Sequence, residues 1–267
     1  MRRGDVVEAV HRVHVRGAWS YGDDISCFLR SSAKPIQAVP LVEAYDDLGD
    51  DEVAIACASH QAEPAQLAAV RKLLERSGAT IDQLENGPQE GRPEGKLGHN
   101  CSGKHAGMLA TCKANGWPLT GYRLPDHPLQ RRIHDLVGGA PYETDGCGVP
   151  TFELRLAEMA ALFARTPARV RAAMRARPEL VGGRGADDTD LMRGAPGWFA
   201  KRGAEGLFCA AHDDGRAFAV KVEDGGARAV RPVVAHLLAG ALEVPPITNS
   251  RGETVGGYAV ESPDVTV

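Results

Sequence analysis

The sequence has no long apolar run, and its few cysteines form no dense pattern. Glu8, His11 and Arg12 interrupt the only apolar stretch near the start, so we expect neither a secretory signal nor a membrane span. Six cysteines in 267 residues are too sparse for a disulfide framework. We therefore expect a reducing, cytoplasmic location. There, a cysteine in a motif is a metal ligand, a reactive thiol or part of the core.

The sequence also lacks a cluster of basic residues. Its formal net charge is -4, and lysine and arginine are scattered among aspartate and glutamate. A nucleic acid or an anionic membrane would require a basic face, so neither is an expected partner. With 43% hydrophobic residues the chain can bury one sizeable core. A single domain over residues 1–267 is the expectation.

Strand patterns occur at both ends of the chain. Residues 5–15 are rich in valine and residues 25–29 are apolar, which indicates two early strands. Residues 206–211 and 217–223 predict a hairpin around Asp213-Asp214-Gly215, and a last strand is expected near Tyr258. The prediction is an α+β fold in which N- and C-terminal strands form one antiparallel sheet and a helical block is inserted between them.

Helical spacing of apolar residues is found mainly in the middle of the chain. The expected helices are residues 64–76, 103–113, 128–137, 153–165 and 227–242. Residues 86–99 and 180–197 have the composition of loops.

Ser31 and Lys34 form a Ser-x-x-Lys pair. If a helix opens at Ser31, the lysine amine one turn later comes within hydrogen-bond reach of the hydroxyl. A lysine can activate a serine when burial or a nearby cation lowers the lysine pKa. The structural alternative is a serine helix cap followed by a solvated lysine.

A Lys-x-Gly sequence at Lys201 lies just before a late strand. In penicillin-recognising serine enzymes such a strand faces the Ser-x-x-Lys segment, where its glycine lets substrate approach. The order of the two motifs fits that arrangement here. By itself Lys-x-Gly is typical of an exposed loop.

Two cysteines lie on turns rich in small residues, within Asn100-Cys101-Ser102-Gly103 and Asp145-Gly146-Cys147-Gly148. With Lys104, His105 and Asp145 beside them, the two thiols are candidate ligands of one tetrahedral zinc ion. The alternative is a pair of buried free thiols at packed turns. Ser59 is a further candidate hydroxyl of the site, or else the cap of the helix that begins at Pro64.

Seven segments together resemble the class 3, or rhizobial-type, L-asparaginases of the thermolabile asparaginase II family. They occur in the family's order and span residues 30 to 225. The segments are Arg30-Ser-Ser-Ala-Lys-Pro-Ile-Gln, Cys57-Ala-Ser-His-Gln-Ala-Glu, Asn100-Cys-Ser-Gly-Lys-His-Ala-Gly-Met, Asp145-Gly-Cys-Gly-Val-Pro-Thr-Phe, Pro178-Glu-Leu-Val, Lys201-Arg-Gly-Ala-Glu-Gly and Ala219-Val-Lys-Val-Glu-Asp-Gly.

The resemblance implies a fold similar to serine β-lactamases, penicillin-binding proteins and glutaminases. It also implies a homodimer that hydrolyses L-asparagine to aspartate and ammonia. Ser31 and Lys34 match the family's first Ser-Lys tandem. Ser59 matches the serine of the second, with Lys201 rather than Lys221 as its lysine.

Cys101, Lys104 and Cys147 match the family's site for one zinc ion. Arg30, Asn100, His105 and Asp145 are the expected substrate-binding residues. The alternatives are a glutaminase, a β-lactamase-like serine acylase and an inactive zinc-binding scaffold. Ser-Asp-Asn and Lys-Thr-Gly sequences are absent, which disfavours the acylase. His99 stands where the family more often has asparagine.

Overall fold

The structure is a computed structural model that describes residues 1–262. The last five residues of the expected domain, 263–267, lie outside the described residues. The strands are β1 (Arg2–Arg3), β2 (Val6–Val7), β3 (Val13–Gly17), β4 (Ser26–Phe28), β5 (Tyr142–Thr144), β6 (Pro150–Arg155), β7 (Trp198–Arg202), β8 (Leu207–His212), β9 (Ala217–Val222), β10 (Ile247–Thr248) and β11 (Thr254–Gly256).

Eleven α-helices lie within the described residues: α1 (Lys34–Gln37), α2 (Val39–Ala44), α3 (Asp50–Ala56), α4 (Pro64–Ser77), α5 (Ser102–Ala114), α6 (Pro128–Leu136), α7 (Leu156–Ala164), α8 (Ala168–Ala176), α9 (Pro178–Val181), α10 (Asp187–Gly194) and α11 (Val230–Leu237). Short 3-10 turns cover Arg30–Ala33, Ile81–Gln83 and Ala227–Ala229. None of the helices in residues 1–262 has the combined length and apolar character that crossing a bilayer requires.

The principal sheet joins the two ends of the chain. Its strand order is β3-β9-β8-β7 and every pairing is antiparallel. The hairpin of β8 and β9 turns at residues 213–216, as predicted. The helices between β4 and β7 form the inserted block, so the α+β prediction is confirmed.

The sheet separates two hydrophobic clusters. On β8, Phe208 and Ala210 pack with α11, whereas Leu207, Cys209 and Ala211 face the helical block. This alternation follows the two-residue period of side chains in a strand. The helical block and the inner face of β7 bury the side chains discussed below.

A second sheet of order β4-β6-β5 differs from the prediction. Residues 25–29 do form a strand, but β4 pairs with β6 and not with the principal sheet. Residues 153–155, expected to be helical, extend β6. The helix α7 starts only at Leu156, where the Glu158 carboxylate accepts the Arg155 backbone N–H at 2.8 Å.

Three further segments differ from expectation. Residues 5–15 contain β2 and the start of β3 with irregular backbone between them, and residues 227–242 contain only two turns of α-helix. The expected loop at residues 180–197 holds the end of α9 and all of α10. Three aspartates in the first turn of α10 favour this helix, because negative charge stabilises a helix N-terminus.

Candidate active site

The turn that carries Ser31 has a strained backbone. Arg30 has φ +48°, a conformation that costs a non-glycine residue on the order of 1 kcal/mol. Its backbone N–H donates to Thr151 Oγ1 at 2.9 Å, and its Nε donates to Asp145 Oδ1 at 2.6 Å. Both partners come from the β5–β6 hairpin. The hairpin therefore fixes the residue directly before Ser31.

Ser31 is half-buried and lines a polar pocket of about 230 Å³. The lining residues are Arg30, Ser31, Gln89, His99, Asn100, Cys101, Asp145, Gly146, Cys147 and Ala204. Six of the residues expected from the sequence thus meet in one cavity. Gln89 and His99 were not predicted as site residues.

Lys34 is buried beneath this turn, with 1% of its surface exposed. Its Nζ donates to the Ala58 carbonyl at 2.6 Å and to Ser59 Oγ at 2.9 Å. The sequence predicted a bond to the Ser31 hydroxyl, but the amine is bonded to Ser59. The reason is that residues 30–33 form a 3-10 turn and the α-helix begins only at Lys34, whose side chain reaches inward to the end of α3.

Lys201 on β7 is fully buried, and its Nζ donates to Asp188 Oδ2 at 2.9 Å and to the Arg202 carbonyl at 3.1 Å. The predicted Ser59–Lys201 pairing is therefore not the one observed, because a buried carboxylate holds the Lys201 amine. Burial lowers the pKa of Lys201 to about 8, with Asp188 opposing this shift and the Lys34 charge adding to it. Asp188 was not predicted; the acidic run at residues 187–190 was the only signal for it.

Lys221 lies apart from this pair. Its Nζ donates to the carbonyl of Val222. It lines a neighbouring cavity of about 360 Å³ together with Glu153 and Glu205, and Arg30 and Ala204 line both that cavity and the Ser31 pocket.

The glycine of Lys-x-Gly lies at a close contact between β7 and the Ser31 turn. A Cβ at Gly203 would lie 3.0 Å from Leu207 and 3.0 Å from Ser32 Oγ. Ser32 Oγ also donates to the Lys201 carbonyl at 3.0 Å. The absence of a side chain thus lets the Ser31 turn pack closely against β7.

The two predicted cysteines meet beside Lys104. Lys104 Nζ lies 2.9 Å from Cys147 Sγ, and all three side chains are buried. A hydrogen bond with Cys147 lowers the pKa of Cys101 well below its ordinary value; burial opposes this, and the Lys34 and Lys104 charges reinforce it. Burial disfavours the charged form of Lys104, but the Cys147 and Cys101 thiols outweigh this and raise its pKa.

His105 was expected in the pocket but lies behind the cysteines. Its Nδ1 is 2.8 Å from Tyr122 Oη, and its Nε2 is a buried nitrogen without a hydrogen-bond partner among the described residues. Burial lowers the pKa of His105 to about 4, with the Cys147 thiol acting in the opposite direction. The ring is therefore neutral near pH 7.

Thiolate sulfur and neutral nitrogen are donors that suit zinc. In residues 1–262 no three His, Cys, Asp or Glu side chains cluster as a metal site. Zinc binding here would therefore depend on the Lys104 amine as third ligand, beside Cys101 and Cys147. The meeting of these three side chains, next to the unpartnered His105 nitrogen, fits such an ion.

His60 connects the two halves of the site, one around Lys34 and Ser59 and the other around Cys101 and Lys104. The sequence did not reveal this role. Its Nδ1 accepts the Ala62 N–H, so its Nε2–H donates to Ser102 Oγ at 2.8 Å. The His60 N–H donates to the Asn100 carbonyl at 3.2 Å. Burial lowers the pKa of His60 to about 3. Ser59 is not the cap of α4, whose N-cap is Glu63.

Buried amines beside serine hydroxyls, next to a small polar pocket, are typical of hydrolases that cleave amides or esters through a serine. The sequence profile described as L-asparaginase II matches residues 1–256, a range that includes every residue of the site. The chain therefore belongs to the L-asparaginase II family and is an amidohydrolase of the asparaginase type. No curated protein matches it.

Proposed function

We propose that the protein hydrolyses L-asparagine to L-aspartate and ammonia, with Ser31 as the nucleophile. The observation that carries this is the position of Ser31: it is the serine that lines the 230 Å³ pocket, one residue after the strained Arg30. Ser59, by contrast, is bonded to the Lys34 amine behind that pocket.

The charges of the pocket suit an amino acid. Arg30 and Asp145 form an ion pair at its edge, with side chains 33% and 13% exposed. A guanidinium can bind an α-carboxylate, and a carboxylate can bind an α-ammonium. Burial opposes ionisation of Asp145, but the Gly146 N–H and the Lys104 and Arg30 charges lower its pKa. Asp145 is thus negative near pH 7.

The reaction is acyl transfer. Lys34 accepts the proton of Ser31 Oγ as that oxygen attacks the carboxamide carbon. The C–N bond then breaks and the lysine proton leaves with ammonia. Water hydrolyses the resulting ester, which releases aspartate and returns a proton to Ser31. Ser59 and the Ala58 carbonyl hold the lysine amine in position.

We also propose one zinc ion held by Cys101, Lys104 and Cys147. Bound zinc would keep Lys104 neutral and order the two cysteine turns, because ligands bind in their deprotonated form. The donor set supports this: Cys101 has a strongly lowered pKa, and its thiol lies with the Cys147 thiol next to the Lys104 amine.

The likeness to serine β-lactamases, penicillin-binding proteins and glutaminases is part of the proposal. It is supported by the packing of β7, which carries Lys201, against the Ser31 turn through Ser32. A single domain over residues 1–267, expected from the composition, a cytoplasmic location, expected from the sparse cysteines, and a homodimer, implied by the resemblance, complete the proposal.

The test is ammonia release from asparagine and from glutamine by the wild type, Ser31→Ala and the control Ser20→Ala. Ser20 is exposed and outside the site. We expect Ser31→Ala to lose at least about 10³-fold in kcat without a change in melting temperature, as nucleophile removal does in serine hydrolases. Turnover by Ser31→Ala within tenfold of wild type would overturn the assignment of Ser31 as the nucleophile. Activity of the wild type on glutamine but not on asparagine would overturn the assignment of asparagine as the substrate.

A further inference from the structure

Asp188 and Lys201 form an ion pair from which solvent is excluded. Both side chains have 0% exposure and their charged atoms are 2.9 Å apart. Asp188 Oδ2 also accepts the Arg202 N–H at 3.3 Å, and Oδ1 accepts the Thr189 N–H at 3.1 Å. Three donors on one carboxylate favour its ionised form.

The two buried lysines therefore have different surroundings. The Lys34 amine contacts a carbonyl and a hydroxyl and lies near the Cys101 thiol, and no carboxylate of residues 1–262 forms a salt bridge with it. The Lys201 amine contacts a carboxylate. An ionised carboxylate deep in a protein requires a cation beside it, because an uncompensated buried charge is costly.

The remaining charged groups around Lys201 come from three elements. Asp188 faces it from α10, Lys34 from the segment after the Ser31 turn, and Arg202 from its own strand. The buried Cys57 thiol also lies within range of both amines, and burial raises the pKa of Cys57 to about 12, so it stays neutral. Within residues 1–262, Asp188 is thus the one negative group among those that act on Lys201.

We propose that Asp188 is a positioning residue that holds the Lys201 ammonium in place, so that Lys201 is a fixed cation of the site and not a second proton acceptor. This inference rests on the proposed function. It assigns the proton transfer to Lys34 and leaves Lys201, which is buried behind the residues that line the Ser31 pocket, to favour the negative charge that develops there. It also explains why Ser59 is bonded to Lys34 and not to Lys201.

The pH dependence of kcat distinguishes the two roles. Burial lowers the pKa of Lys201 to about 8. A required cation with this pKa makes kcat fall as pH rises through about 8, whereas a required base makes kcat rise through the same range. Asp188→Asn removes the carboxylate that favours the charged amine, so we expect the alkaline fall to move to lower pH. In Asp188→Glu we expect it to return towards the wild-type position.

Lys201→Arg and Lys201→Met complete the experiment. Arginine keeps its charge and cannot accept a proton near neutral pH, so we expect Lys201→Arg to keep about a tenth of the wild-type kcat and to lose the alkaline fall. We expect Lys201→Met to lose about 10²-fold or more, as sites do when one stabilising charge is removed. Each variant is first matched to wild type by circular dichroism.

An increase of wild-type kcat through pH 8 that moves to lower pH in Asp188→Asn overturns the inference, because Lys201 and not Lys34 then acts as the base. So does an alkaline limb that stays unchanged in both Asp188→Asn and Lys201→Arg. If Lys201→Arg does not fold, the Asp188→Asn and Asp188→Glu profiles decide alone. Failure of the proposed function is separate, because it appears as wild-type protein without ammonia release from asparagine.

Discussion

Gly103 offers the sharpest test of how the site is assembled. It is the second residue of α5, between Cys101 and Lys104, and a Cβ there would lie 2.2 Å from the Ile55 carbonyl oxygen. Carbon and oxygen normally approach no closer than about 3.3 Å. Gly103→Ala therefore requires α5 and α3 to separate by about 1 Å, with backbone atoms on one side of the contact.

The displacement would affect both halves of the site. The Ile55 carbonyl accepts the Ala58 N–H at 3.1 Å, and the Ala58 carbonyl holds the Lys34 amine. On the other side, Cys101 is the N-cap of α5 and Lys104 lies in its first turn. Overpacking costs about 1–3 kcal/mol, and relief of strain by movement does not restore the original positions. We expect Gly103→Ala to lower the free energy of unfolding by about 2–3 kcal/mol.

The matched control is Gly107→Ala, one turn later on the same helix. Its Cβ would meet only side-chain atoms and a Cα, the nearest being Ala56 Cβ at 3.0 Å. The gain in helix propensity of about 1 kcal/mol offsets much of that crowding, so stability should stay within about 1 kcal/mol of wild type. The assay is urea denaturation with ammonia release below the transition. Equal stability and equal activity in the two variants would refute the reasoning.

Two further predictions concern metal and acid. Cys147→Ser should lose the bound zinc, measured as metal content per chain. A chelator should lower the melting temperature of wild type but not of this variant. Equal metal content in wild type and variant would contradict the proposed ligands. The Glu52 side chain is 1% exposed, and its burial opposes ionisation. Its hydrogen bonds with Arg76, at 2.7 and 3.2 Å, outweigh burial and lower the pKa of Glu52 below the ordinary 4.5. Because the folded pKa is depressed, its stabilisation is present above pH 4.5 and is lost as pH falls through the folded pKa. Glu52→Gln should therefore cost about 2 kcal/mol at pH 7 and flatten the acid loss of stability in urea denaturation, whereas an unchanged acid limb would show that other groups cause it.

Local patterns predicted much of the fold. Alternating residues predicted the β8–β9 hairpin, and helical spacing predicted α4, α5 and α6 to within a residue at each end. The errors arose where pairing between strands determines the secondary structure. Residues 153–155 have a pattern compatible with a helix, but each of them pairs with a residue of β4. Such pairing depends on strands far away in the sequence.

For the site, too, local patterns were predictable and contacts between distant segments were not. Motifs identified six of the residues that line the pocket, because a small-residue turn around a cysteine leaves a local signature. The hydrogen-bond partner of each buried amine left no such signature in the sequence. Lys34 bonds Ser59 and Lys201 bonds Asp188 because of where α3, β7 and α10 meet. His60 and Gln89 were missed because their contacts, with Ser102 Oγ and with the Asn100 N–H, leave no pattern in the sequence around them.

The left-handed backbone at Arg30 has a practical consequence for mutagenesis. Its main chain is tied to Thr151 and its guanidinium to Asp145, so any substitution alters conformation and charge together. Glycine at this position would ease the torsion while deleting the cation, and lysine would keep the cation without easing the torsion. Kinetic data at position 30 thus need both replacements side by side before a loss can be assigned to recognition of a substrate carboxylate.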